Sequence, residues 1–109
     1  MDVHFKNDVS DVQAIQLPAL RAIVVVAGVM HEFGKRCTIT SLNDGKHSEQ
    51  SFHYHGLAVD FRTREEGPDY KQWPADERRH ILQAIKNRLG SDYDCVDECD
   101  HYHVEFDPK

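Results

Sequence analysis

Apolar and polar positions along the 109-residue chain alternate between two periods, and that alternation predicts the elements. From Leu17 to Phe33 the large apolar residues Leu20, Ile23, Val24, Met30 and Phe33 recur at spacings of three, four and seven, which predicts a helix. Pro18 suits its first turn, where a missing N–H costs nothing, and Gly34 suits its end, with Lys35 and Arg36 near the negative pole. The run Ile23-Val24-Val25-Val26 is β-branched, but its length and flanking caps favour a buried helix over a strand. A second helix is predicted from Ala75 to Leu89, between Pro74 and Gly90, with Ile81, Leu82, Ile85 and Leu89 on its apolar face.

Period two marks the strands. Cys37 to Ser41, Leu57 to Arg62, Tyr93 to Val96 and Tyr102 to Phe106 read as strands, the last two as a hairpin. Val3 to Lys6 suits a short edge strand, and Ser10 with Gln13 has the form of a capping box. The polar stretch 42–50 contains the turn signal Asn43-Asp44-Gly45 and reads as a loop. The expected fold is therefore α+β: a small antiparallel sheet of about four strands with helices packed against it, as one domain over residues 1–109.

Charge narrows the partners. A net charge of -6 disfavours binding to a phosphate backbone or to an anionic membrane, so neither nucleic acid nor membrane is an expected partner. A monomer is expected. No charged segment followed by an apolar core opens the chain, and the longest apolar run, Ile23 to Met30, is too short to span a bilayer. Synthesis in the cytoplasm without a signal peptide follows as the expectation. The three cysteines Cys37, Cys95 and Cys99 are odd in number and lack a Cys-x-x-Cys pair, so they read as buried, reduced thiols and not as a disulfide framework.

The histidines change the picture more. Five of eight (His47, His53, His55, His101 and His103) fall in or near two clusters. The first, Ser51 to Asp60, holds His53 and Asp60 with Gly56 between them; the second is Asp100-His101-Tyr102-His103. A catalytic zinc takes three protein ligands and keeps a position for water, and His53, Asp60 and His103 would make such a set. His101 lies two before His103 on a strand, so both side chains share one face. Asp100, three before His103, is within reach of a bound water. A carboxylate or imidazole there can take a proton from that water and return it to a leaving amine. Taken singly, each of these residues is an ordinary surface residue; their joint arrangement is what points to a site.

The spaced pattern Ser51-x-His53-x-x-Gly56-x-Ala58-x-Asp60 resembles the signature of the zinc peptidases that include D-Ala-D-Ala carboxypeptidases and dipeptidases and phage L-alanyl-D-glutamate endopeptidases. Their fold is shared with penicillin-insensitive murein endopeptidases and the hedgehog signalling domain. The later His101-x-His103 resembles the third-ligand stretch, and the order of elements from Leu17 to Phe106 is similar. The resemblance implies zinc held by His53, Asp60 and His103. It implies peptidoglycan stem peptides as substrate and a small, phage-encoded, endolysin-like enzyme acting on a host cell wall. It also implies a catalytic base shortly before the last ligand, at Asp100 or at His101; Asp100 is preferred as base and His101 as stabiliser of the transition state.

One departure stands out. Many members carry a substrate-binding Arg where this chain has Ser41-Leu42-Asn43-Asp44; Lys46 or Arg62 is the candidate replacement. The absence tilts the expectation from carboxypeptidase to endopeptidase and keeps a second reading open, a zinc-binding module of the same fold without catalysis. A third reading, a structural zinc site from Cys95, Cys99, His101 and His103, is disfavoured because it strains a tetrahedron and leaves His53 unexplained.

Overall fold

A computed structural model describes residues 2–6, 15–44, 57–67, 69 and 71–108. Its elements run β1 (Val3–Phe5), α1 (Leu17–Glu32), β2 (Cys37–Asp44), β3 (Leu57–Arg62), α2 (Ala75–Leu89), β4 (Tyr93–Asp97) and β5 (His101–Phe106). The strands form one sheet in the order β1-β2-β3-β5-β4. The fold is α+β, as the alternation of periods predicts.

The helix ends follow their sequence signals. Pro18 occupies the first turn of α1, and Gly34 takes φ 71 just beyond it while the Lys35 amide closes on the Met30 carbonyl at 2.8 Å. Only a residue without Cβ enters that left-handed region freely. α2 starts after Pro74, carries Asp76 and Glu77 in its first turn and Lys86 and Arg88 in its last, and ends at Gly90 with φ 86. Both charge placements favour the helix dipole.

The core lies on one side of the sheet. Cys37, Ile39, Val59, Phe61, Tyr102, Val104, Tyr93 and Cys95 sit at alternate strand positions and are buried together with residues of both helices. The alternate set, with Asp60, Arg62, His101, His103 and Glu105, is only partly buried. The helices thus cover one face and leave the other to the polar residues, the period-two division of a half-buried sheet.

The structure departs from expectation in three places. The sheet has five strands, and β1 joins β2 in parallel register, Val3 opposite Cys37 and Phe5 opposite Ile39. A parallel pair needs a crossover, and α1 supplies one. Second, β2 does not stop at Ser41 but runs to Asp44, because β3 pairs with it from Phe61 opposite Ile39 to Leu57 opposite Asp44. A backbone partner outweighs the local turn preference of Asn43-Asp44. Third, α1 buries Ala19, Ala22, Ile23, Val26, Ala27, Val29 and Met30, whereas Leu20, Val24 and Phe33 are exposed. The helix is apolar nearly all round, so periodicity alone does not select its inward face.

Among the described residues, no helix is long and apolar enough to cross a membrane. Cys37 and Cys95 are buried free thiols, as expected, whereas Cys99, also expected to be buried, is exposed because it lies in the link between β4 and β5. The capping box at Ser10 lies outside the described residues.

Candidate metal centre

The site is built by two adjacent strands. β3 and β5 run antiparallel with Asp60 opposite His103, Arg62 opposite His101 and Ala58 opposite Glu105. The pairing type follows from the other side of β5. The Glu98 amide bonds the His101 carbonyl at 2.9 Å, and the Asp107 amide bonds the Asp92 carbonyl at 2.7 Å. In an antiparallel ladder this fixes every second pair, so His101, His103 and Glu105 turn their backbone groups toward β4. Relative to β3, Asp60 and His103 therefore form a non-hydrogen-bonded pair, the kind in which facing side chains approach most closely. A bulge between Ile39 and Ser41 brings Ser41 opposite Asp60 on the far side.

The side chains bear this out. His103 Nδ1 lies 2.7 Å from Asp60 Oδ1, and its other ring nitrogen lies 3.2 Å from Glu105 Oε1. His101 Nδ1 lies 2.6 Å from Asp100 Oδ1, which leaves Nε2 3.8 Å from Asp60 Oδ2. The result is a row of alternating carboxylates and imidazoles: Asp100, His101, Asp60, His103, Glu105. Partial burial of His103 opposes its charged form, but the hydrogen bonds that its ring donates to Glu105 and Asp60, with their negative charges, outweigh it and raise its pKa above the ordinary value.

Of the residues predicted from sequence, the structure brings four together: Asp60, His103, His101 and Asp100. His53 lies outside the described residues, as do Ser51, His55, Gly56 and Lys46. Asp60 and His103 offer a carboxylate oxygen and an imidazole nitrogen aimed at one another from neighbouring strands, a donor pair that zinc accepts. Among the described residues, no group of three or more His, Cys, Asp or Glu is arranged to hold a metal, so a closed ligand set requires a residue beyond them. The site with Cys95, Cys99, His101 and His103 is excluded by the pleat: Cys95 is buried on the helix-covered face, and the histidines stand on the other.

Two neighbours were not picked out as site residues from the sequence, or only in part. Glu105 reaches His103 because it lies two further along the same strand, a signal that period two carries openly. Arg62, a candidate substitute for the absent Arg, stands opposite His101, but its guanidinium is bound to Glu66 Oε1 at 3.2 Å. Thr38 Oγ1 donates to the same carboxylate at 3.1 Å. Partial burial pushes the Glu66 carboxyl up, yet the Thr38 and Arg62 hydrogen bonds prevail and hold it below its ordinary value.

Comparison with protein-family models, with curated proteins and with solved structures returned no match to this chain.

Proposed function

We propose that this chain is a zinc-dependent peptidase acting on peptide bonds of peptidoglycan stem peptides. The observation that carries the reading is the Asp60–His103 pair, held side chain to side chain at 2.7 Å on the sheet face that neither helix covers, with the Asp100–His101 pair beside it. In this reading Asp60 and His103 hold zinc together with His53, the residue at the matching position of the spaced motif. Zinc there would supply a Lewis acid for the scissile carbonyl and a bound water whose pKa is lowered to about 7.

The remaining chemistry belongs to the chain. His101 Nε2 faces Asp60 and is the group placed to take a proton and deliver it to the departing amine. Asp100 holds Nδ1 of the same ring at 2.6 Å, which fixes the orientation of the ring and leaves Nε2 for the proton transfer. This geometry supports His101 as acid/base and Asp100 as its orienting partner, the reverse of the order preferred from spacing. A phage source and a cell-wall target belong to the same proposal.

The experiment combines metal analysis with mass spectrometry of purified murein treated with the zinc-loaded protein. One zinc per chain and defined stem-peptide fragments are expected. Both should disappear in His103→Ala and His53→Ala. His101→Asn and Asp100→Asn should keep the zinc and lose turnover, His101→Asn by roughly 10²- to 10⁴-fold. Arg62 is committed to Glu66, and this favours the second reading, zinc binding without hydrolysis. Zinc-loaded protein that leaves every murein fraction intact would establish it.

A further inference from the structure

A second surface lies at the β4 edge of the sheet, which among the described residues no further strand covers. β4 is the outermost strand beside β5. Because Asp94 and Val96 share the ladder type of Glu98 and Asp92, their backbone groups turn toward β5. Cys95 and Asp97 therefore turn their N–H and C=O groups outward. Tyr93 shares that direction, and its amide is only loosely held by the Gly90 carbonyl at 3.4 Å. A groove of about 630 Å³ runs along this edge, lined by Lys86, Gly90, Ser91, Tyr93, Cys95 and Val96 among others.

Among the described residues that line the groove, Lys86 is the one cation, and the one carboxylate, Asp94, alternates with buried Tyr93 and Cys95 and so turns to the face away from the helices. Lys86 stands in the last turn of α2 at its rim and, among the described residues, its ammonium has no ion pair or hydrogen bond. The other basic residues of α2 are engaged: Arg78 by Asp97, Arg79 by Asp76 and Arg88 by Glu32. On β4 itself the Asp97 carboxylate is held by Arg78 and by the Cys99 amide. Lys86 lines the same groove as Cys95, whose side chain is buried against the helices, and this places the cation on the helix side of the edge.

From these observations we propose that β4 is a docking edge for an extended peptide that adds as a sixth strand and places one carboxylate against Lys86. The backbone of such a peptide would pair with the outward groups of Cys95 and Asp97, as in strand addition generally. The peptide residue opposite Cys95 points its side chain to the helix side, where Lys86 waits. One carboxylate fits and many do not, because the chain carries a net charge of -6. That charge also opposes a second copy of the chain, whose own edge strand is acidic. The groove is separate from the Asp60–His103 pair and does not depend on zinc there.

The probe is the peptide Thr-Val-Glu-Val-Thr, blocked at both ends, titrated into the full ¹⁵N-labelled chain. The amides of Cys95 and Asp97 are expected to shift and to exchange more slowly with solvent. The counterpart with Gln in place of Glu should bind about threefold more weakly, the size of an exposed ion pair. In Lys86→Gln, a surface change that spares the core, the two peptides should bind alike. Methylating the peptide amides should abolish binding. Shifts elsewhere or none, equal binding of the Glu and Gln peptides to the unaltered chain, or tolerance of N-methylation would each overturn the proposal. So would protection of the Cys95 and Asp97 amides that rises with protein concentration alone, which would assign the edge to a second copy.

Discussion

At the scale of single residues, the row Asp100, His101, Asp60, His103, Glu105 is set by two simple facts: period-two alternation on β5 and one cross-strand register. The hairpin that feeds this row carries a strained position. Cys99 takes φ 75 in the two-residue link between Glu98 and His101, a left-handed conformation that costs an L side chain about 1–2 kcal/mol. Glycine relieves that cost but loses about 0.5–1 kcal/mol through backbone entropy. Cys99→Gly is therefore expected to raise unfolding stability by about 0.5 kcal/mol, and Cys99→Val, β-branched at the same φ, to lower it by about 1 kcal/mol. Urea unfolding of the three proteins measures both; a stabilising Val would refute the strain. Here sequence reading had a limit. Asp100 and His101 were legible as a pair near a ligand, but that they bind each other at 2.6 Å depends on this turn, which Glu98-Cys99-Asp100 does not announce through any Gly or Asn.

At the scale of elements, helices and strands were legible where composition and period agree. α2 and β3 have the boundaries that the pattern predicts, because each has one apolar face and clear punctuation. α1 was legible as a helix but not in its orientation. Its small residues Ala19, Ala22 and Ala27 face inward and let it approach the sheet, while the bulkier Leu20 and Val24 face out. What fixes the elements to one another is polar and long-range, hence invisible to periodicity. Arg21 donates to the Leu89 and Arg88 carbonyls at the end of α2, at 3.1 and 3.3 Å. Arg78 donates to Asp97 at 3.0 Å and to the Trp73 carbonyl at 2.6 Å, while its own carbonyl accepts from the Tyr102 hydroxyl. Its side chain is only 14% exposed, so replacing it leaves the partly buried Asp97 carboxylate with the Cys99 amide alone and the Trp73 carbonyl without this donor. Arg78→Leu is expected to cost about 2–3 kcal/mol. Because Asp97 closes β4 at the hairpin, hydrogen exchange should quicken first at β4 and β5. A loss below about 0.5 kcal/mol in urea unfolding would show that this ion pair does not bind helix to hairpin.

At the scale of the whole molecule, the order of strands decides the site, and no local signal encodes it. Asp60 and His103 are 43 residues apart and meet only because β5 inserts between β3 and β4. The same sheet seals three ionisable groups into its covered face. Burial pushes the Cys37 thiol up to about 12 and the Cys95 thiol up to about 11, the latter against the pull of Lys86, and it raises the Tyr102 hydroxyl as well. The sign is fixed by linkage. These are acids whose folded pKa exceeds the unfolded value, so below pH 9 both states are protonated and the fold keeps its full stability. Above pH 9 the unfolded chain loses thiol protons that the folded chain retains, and each thiol then lowers stability by up to about 1.4 kcal/mol per pH unit. From pH 9 to 11 the two thiols together remove about 4 kcal/mol, a large part of the whole stability of many domains this size. The urea midpoint should thus be level from pH 7 to 9 and fall steeply beyond it. In Cys37→Ala the starting stability drops, but the alkaline slope becomes shallower by one thiol's share. A midpoint that stays level to pH 11, or an unchanged slope in the variant, would place these thiols in contact with solvent and contradict the packing of the covered face.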